Sequence, residues 1–214
     1  MRQYLKQLVL DVPILRPVRL FLNKLILLLW VKNGKKVPPP HIVKQNVLRE
    51  YAQKFHLAIL VETGTFYGDM VAAMKDDFEQ IYSIELSKEL HALATKRFSN
   101  IKKVKLVQGD SGVELLAIAK LINAPALFWL DGHYSAGVTA KGEKETPIVE
   151  ELTGLLKLPE KRHVIIVDDA RCFDTDPAYP KLSELLSLVK SIRPDMDVKI
   201  QDDSIRLSPN LEVK

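Results

Sequence analysis

Five short strand-like segments, each ending in a carboxylate, constrain this chain more than any other feature. They lie at 57–61, 80–86, 104–109, 126–130 and 163–167, and their acids are Glu62, Glu85, Asp110, Asp131 and the pair Asp168-Asp169. Stretches with apolar residues at helical spacing alternate with them, at 41–56, 69–78, 111–122 and 179–191. Ser87 suits the cap of a further helix to about Phe98, with Lys96 and Arg97 in its last turn; Thr146-Pro147 suits the opening of another through Leu158. Continuously apolar strands separated by helices predict an α/β fold, a doubly wound and mostly parallel sheet covered on both faces. Residues 196–208 read as two final strands turning at Asp202-Asp203. In a parallel sheet the carboxyl ends of the strands share one edge, so the acids are expected to line one crevice, where open α/β folds bind ligands. One acid at a strand end is commonly a solvated residue or a helix cap. Five in register point to a site.

The first acid belongs to the run Glu62-Thr63-Gly64-Thr65-Phe66-Tyr67-Gly68. Glycines at a strand-to-helix turn let the backbone swing sharply and approach a ligand without Cβ obstruction. Glu85, 23 residues beyond Glu62, ends the second strand, where an acid accepts hydrogen bonds from ribose hydroxyls. The third glycine of the dinucleotide fingerprint is missing, and a pyrophosphate is poorly served by a crowd of carboxylates. An acidic crevice suits a cationic nucleoside better.

On these residues the segment 57–170 resembles the class I S-adenosylmethionine-dependent methyltransferases. The Glu62-x-Gly64-x-x-x-Gly68 turn, Glu85, and Gly109-Asp110-Ser111 carry the resemblance. It implies a seven-stranded Rossmann-like sheet ending in an antiparallel hairpin, with S-adenosylmethionine as cofactor. Glu62 and Gly64 would then line the methionine portion, Glu85 the ribose, and Asp110 with Ser111 the base; Thr65, Gly68 and Asp131 complete the implied cofactor site. Asp131-Gly132-His133 together with Asp168-Asp169 resembles the metal-dependent O-methyltransferases that act on small molecules and sugars. That implies Mg2+ held by Asp131, Asp168 and Asp169, with His133 and Asp131 catalytic. Hard oxygen donors fit magnesium, and a hydroxyl coordinated to a divalent cation is more acidic, so that a nearby histidine can take its proton. The competing explanations are structural: a histidine that orients its loop, and an acidic pair that caps a helix or meets Arg171. Arg171 itself reads as a salt-bridge residue and Cys172 as a packed small hydrophobe.

The net charge of +4 is unevenly spread. Residues 1–44 hold nine bases against Asp11 alone, a surplus of eight, and the remaining chain is net acidic by four. The organisation expected is a basic, apolar helical arm with a Pro-rich linker at 1–40 and a methyltransferase-like domain at 41–214. Val18, Phe21, Leu22, Leu25, Ile26 and Leu29 recur at helical spacing within the arm. Its uninterrupted apolar run is too short to span a membrane. Two readings of residues 1–36 stay open: peripheral contact with an anionic membrane surface, or packing on the body or a second subunit in a homo-oligomer. The single cysteine excludes an intrachain disulfide and fits a cytoplasmic setting, with the arm at the inner face of a membrane. The partner expected is a small-molecule or glycan acceptor. Nucleic acid is not expected, because the body is acidic and lacks a basic groove. Residues 134–145 read as a lid over the site or a plain surface loop. The rival functions are an NAD-dependent oxidoreductase, a metal-dependent hydroxylase, and a non-catalytic membrane-associated scaffold.

Overall fold

The computed structural model describes residues 13–131, 147–160 and 162–210. Seven strands, β1 (Ile59–Thr63), β2 (Gln80–Glu85), β3 (Val104–Gln108), β4 (Ala126–Leu130), β5 (Val164–Val167), β6 (Met196–Gln201) and β7 (Ser204–Pro209), form one sheet in the order β3-β2-β1-β4-β5-β7-β6. The first five are mutually parallel; β7 runs antiparallel to both β5 and β6. The order reverses direction at β1 and β4, and that switch point opens the crevice at the carboxyl edge. The hairpin between β6 and β7 turns on Asp202 (φ 49°) and Asp203 (φ 63°). Two left-handed residues match the strands' twist, and aspartate tolerates that region better than most side chains.

Among the described residues seven α-helices accompany the sheet: α1 (Arg16–Lys32), α2 (His41–Phe55), α3 (Asp69–Met74), α4 (Lys88–Phe98), α5 (Ser111–Leu121), α6 (Ile148–Leu156) and α7 (Leu182–Ile192). Period-two alternation divides each inner strand between two cores. Leu60, Ile81, Leu127, Trp129, Val164 and Ile166 pack with α2, α3 and α4. Val61, Ile84, Phe128, Leu130, Ile165 and Val167 pack with α5, α6 and α7. Doubly covered strands have no solvent-facing side, which is why Ala126–Leu130 and Val164–Val167 are apolar throughout.

Several boundaries differ from the sequence-based expectation. Helix α3 stops at Met74 rather than continuing to 78, because Phe78, buried at 2% exposure, turns inward ahead of β2. Pro147 takes the cap position of α6 with φ −85° instead of its first turn, and Thr146 lies outside the described residues. Helix α7 begins at Leu182, not 179: a residue before proline is disfavoured in the helical region, and Tyr179, which precedes Pro180, packs edge-on against Phe173 at 5.1 Å.

Helix α1 leaves most of its apolar side chains in the open, with Phe21 and Leu28 about two-thirds exposed. Trp30 is the exception, buried with its Nε1 donating to the Lys36 carbonyl at 2.8 Å. Among the described residues no helix is long and apolar enough to cross a membrane.

Candidate functional site

The turn after β1 requires glycine at two positions. Gly64 and Gly68 have φ of 81° and 75°, a region that side chains rarely enter. A Cβ on Gly64 would lie 2.5 Å from the Asp131 carbonyl oxygen, so the β1 turn and the end of β4 meet backbone to backbone. The N–H groups of Gly64 and Thr65 donate to the Ile84 carbonyl at 3.0 and 3.1 Å. Phe66 N–H donates to Glu85 Oε2 at 2.7 Å, and Ser87 N–H to Glu85 Oε1 at 2.8 Å. Glu85 is thereby fixed from both sides while each oxygen keeps lone-pair capacity for a ligand.

Strand alternation brings the other acids to the α2–α4 face. Glu62, Ser83, Asp131 and Asp168 each follow by two residues a side chain in that core: Leu60, Ile81, Trp129 and Ile166. Glu62 is opposite both Ser83 and Trp129 in the ladder, and Leu130 is opposite Val167, so Asp131 and Asp168 come next to each other. Asp131 N–H is held by Thr63 Oγ1 at 3.1 Å, and Asp168 N–H by the Leu130 carbonyl at 2.9 Å.

Glu62 is fully buried and accepts from Ser83 Oγ at 2.6 Å; Thr65 Oγ1 lies 2.5 Å from the same hydroxyl. Burial pushes its carboxyl up to about 8, against the pull of the Ser83 bond and with help from Asp131 and Glu85. Farther along the rim, Asp110 caps α5 by accepting from Gly112 N–H at 2.9 Å, and Ser111 opens that helix. Behind them lies Glu151 of α6, completely buried and pushed up to about 7 by burial, opposed by nearby Ser111. At ~4.8 Å per strand, the rim from β3 to β4 is roughly 14 Å long, the scale of a nucleoside.

Asp131, Asp168 and Asp169 form the other end of the rim, with one carboxylate oxygen from each within 4.8 Å of the others. Asp168 Oδ1 is buried with no hydrogen-bond partner among the described residues. Asp169 adopts φ 56° and accepts from Arg171 at 2.8 Å; Arg171 also pairs with Asp203. Lys44 of α2 reaches into the cluster, donating to Asp168 and, at 3.4 Å, to Asp169 Oδ1, with its Nζ 6.0 Å from the Trp129 ring centre. Burial works against the Lys44 ammonium, but Asp168, Asp169 and Asp131 outweigh it and raise its pKa. Burial, then neighbouring Asp131, push the Asp168 carboxyl upward, and the Lys44 ammonium paired with it opposes that shift. Tyr179 faces the same rim, and burial, then Cys172, Asp169 and Asp131, raise its phenol so that it remains a donor. The donor set, three hard carboxylates with one buried oxygen unengaged, fits a divalent cation.

The sequence-selected residues thus fall on one edge: Glu62, Gly64, Thr65, Gly68 and Glu85 at the β1–β2 turns, Asp110 and Ser111 at β3, and Asp131, Asp168 and Asp169 at β4 and β5. His133, and the segment 134–145, lie outside the described residues. Lys44, Ser83 and Tyr179 were not anticipated. Lys44 had a signal, since it stands four residues before Leu48 on the buried stripe of α2. Cys172 is buried, and His163 accepts from Ala126 N–H at 3.1 Å with its pKa pushed down to about 4 by burial; both are structural.

No protein-family model matches the sequence, and no curated protein matches it. Solved structures do match the fold. A candidate rRNA methylase from Clostridium thermocellum is 12% identical with a TM-score of 0.57, covering 77% of this chain and 96% of its own. The O-methyltransferase TomG from Streptomyces achromogenes, solved with SAM, is 17% identical with a TM-score of 0.57, covering 79% of this chain and 81% of its own. The methyltransferase MycE, solved with Mg, SAH and mycinamycin VI, is 13% identical with a TM-score of 0.54 over 75% of this chain and 48% of its own. The chain has the fold of the class I S-adenosylmethionine-dependent methyltransferases.

Proposed function

We propose that this protein is an S-adenosylmethionine-dependent methyltransferase that methylates a hydroxyl of a small molecule, sugar or glycan with the help of Mg2+. One observation carries the reading: the glycine turn of β1 touches the backbone of Asp131, the residue that also opens the three-carboxylate cluster. A nucleoside seated on that turn would therefore present its reactive end to the cluster. MycE, whose structure holds Mg, SAH and mycinamycin VI together, lends support to the same division of labour.

In this reading Glu85 binds the ribose hydroxyls, and Asp110 with Ser111 meets the base. Glu62 and the Gly64–Gly68 turn hold the methionine portion. Asp131, Asp168 and Asp169 would hold Mg2+, which when bound would make an acceptor hydroxyl more acidic. His133, two residues beyond Asp131 in the sequence, is assigned as the base that takes the acceptor proton. Tyr179, a phenol that stays protonated beside Asp169 and Asp131, orients the acceptor. Attack on the sulfonium methyl then depends mainly on positioning. The arm is assigned to the cytoplasmic face of an anionic membrane, because its uncovered apolar residues alternate with Arg19, Lys24 and Lys32.

Calorimetric titration with S-adenosylhomocysteine and with NADH separates the methyltransferase from an oxidoreductase. Binding of the first alone is expected. Methyl transfer from labelled S-adenosylmethionine to a panel of sugars and phenols, with Mg2+ or with chelator, then tests the chemistry. Asp131→Ala with Asp168→Ala should abolish transfer; turnover surviving that pair would end the metal-assisted reading.

A further inference from the structure

The carboxylate cluster already contains a cation of the chain's own. Lys44 Nζ contacts Asp168 and lies 3.4 Å from Asp169 Oδ1, while the three carboxylates converge within 4.8 Å. A magnesium ion needs its oxygen ligands at about 2.1 Å and tolerates little distortion. An ammonium paired with two of the same three carboxylates occupies the space and neutralises the charge that such an ion would use. The lysine is not a stray surface residue. It projects from α2 between buried Val43 and Gln45, with only 17% of its side chain exposed, and sits over Trp129 in the strand that leads to Asp131. Arg171, a second cation on this edge, is tied to Asp169 and Asp203.

We propose that Lys44 is the resident counter-ion of the Asp131–Asp168–Asp169 cluster and a positioning residue that must withdraw before a divalent cation enters, so that it sets the metal affinity of the site. This inference rests on the proposed metal-assisted reading. Its physical content is a competition: one ammonium and one divalent ion share three carboxylates. Without metal, Lys44 relieves the mutual repulsion of the acids. With metal, its ion pair with Asp168 is given up, and the apparent affinity is reduced by the strength of that pair.

The test is Mn2+ binding, followed by the spin-resonance signal of the free ion, on the full chain and on Lys44→Met, Lys44→Gln and Lys44→Arg. The two neutral variants are expected to bind Mn2+ about ten- to a hundredfold more tightly than the parent, the range that loss of one charge-assisted bond predicts. Lys44→Arg keeps the charge and should stay near the parent value. Melting temperature gives a second readout: Mg2+ should raise it more for Lys44→Met than for the parent, and the glutamine variant serves if the methionine variant does not fold. Equal or weaker Mn2+ binding by both neutral variants would overturn the competition while leaving the metal site intact. Absence of Mn2+ binding in every variant, with S-adenosylhomocysteine still bound, would overturn both the metal assignment and this inference.

Discussion

Gly64→Ala probes the contact on which the site is built. The backbone there has φ 81°, where an L side chain costs about 1–2 kcal/mol. The new Cβ would also stand 2.5 Å from the Asp131 carbonyl oxygen, against 3.4 Å or more in ordinary contact, so the two segments must separate by roughly an ångström. That oxygen is not free to give way. Asp131 N–H is held by Thr63, and the preceding carbonyl, that of Leu130, accepts from Asp168 N–H. Overpacking of this kind costs about 1–3 kcal/mol, for a combined loss of about 2–5 kcal/mol. Gly34→Ala is the matched control: φ is 77° and nothing lies within 4 Å, so only the backbone cost applies. Gly68→Ala is expected to be intermediate, because its Cβ would meet the edge of the Phe98 ring at 2.5 Å, a side chain rather than backbone. Urea unfolding of the three variants, paired with calorimetric titration of S-adenosylhomocysteine, reads both effects. Only Gly64→Ala should combine the largest stability loss with weakened ligand and Mn2+ binding. Equal losses for Gly64→Ala and Gly34→Ala, with ligand affinity unchanged, would refute the idea that the turn and Asp131 are mechanically joined.

Three further outcomes are expected. Glu62 keeps its proton in the folded chain up to about pH 8 but releases it above 4.5 when unfolded, so its contribution is full at low pH and lost as pH rises across that window. Glu62→Gln should therefore flatten the fall in unfolding free energy there, by up to ~1.4 kcal/mol per pH unit, and an unchanged slope in urea titrations would contradict the assignment. Ser87 Oγ accepts from Leu90 N–H at the start of α4; Ser87→Ala should cost about 1 kcal/mol and lower the melting temperature by about 2–4 °C in calorimetry. Leu25→Glu with Leu28→Glu on the uncovered side of α1 should weaken co-sedimentation with phosphatidylserine vesicles, and undiminished pelleting would favour a protein partner for the arm.

How much of this was legible in the sequence follows from which forces are local. Strand and helix order could be read because burial on both faces leaves an unmistakable run such as Ala126–Leu130. The convergence of Glu62, Asp131 and Asp168 was legible too, since parallel strands share an edge and alternation fixes the face. Helix ends were less visible: the stop at Met74 is set by tertiary packing of Phe78, which no local propensity encodes, whereas the start at Leu182 had a local signal in Pro180. Lys44 was missed because it lies 124 residues from its partner Asp168, and a lone lysine in an amphipathic helix reads as solvated. The Glu62–Ser83–Thr65 chain was missed for the same reason, being a product of register rather than of spacing.

The distribution of charge along the rim leads to a final prediction. Lys44 and Arg171 both serve the Asp168–Asp169 end. Glu62, at the β1 turn, has the Ser83 hydroxyl and neighbouring carboxylates, and burial with no cation beside it among the described residues is what keeps it protonated. A ligand that carries positive charge to this turn supplies the missing counter-charge and favours the ionised form. Binding of S-adenosylmethionine near pH 7 should therefore release up to about one proton from the protein, seen as a dependence of the calorimetric enthalpy on the ionisation enthalpy of the buffer. S-adenosylhomocysteine, which lacks the sulfonium charge, should release fewer, and Glu62→Gln should remove the difference between the two ligands. If both ligands bind with the same proton count in the parent protein, the β1 turn does not sense the sulfonium, and the orientation assigned to the cofactor is wrong.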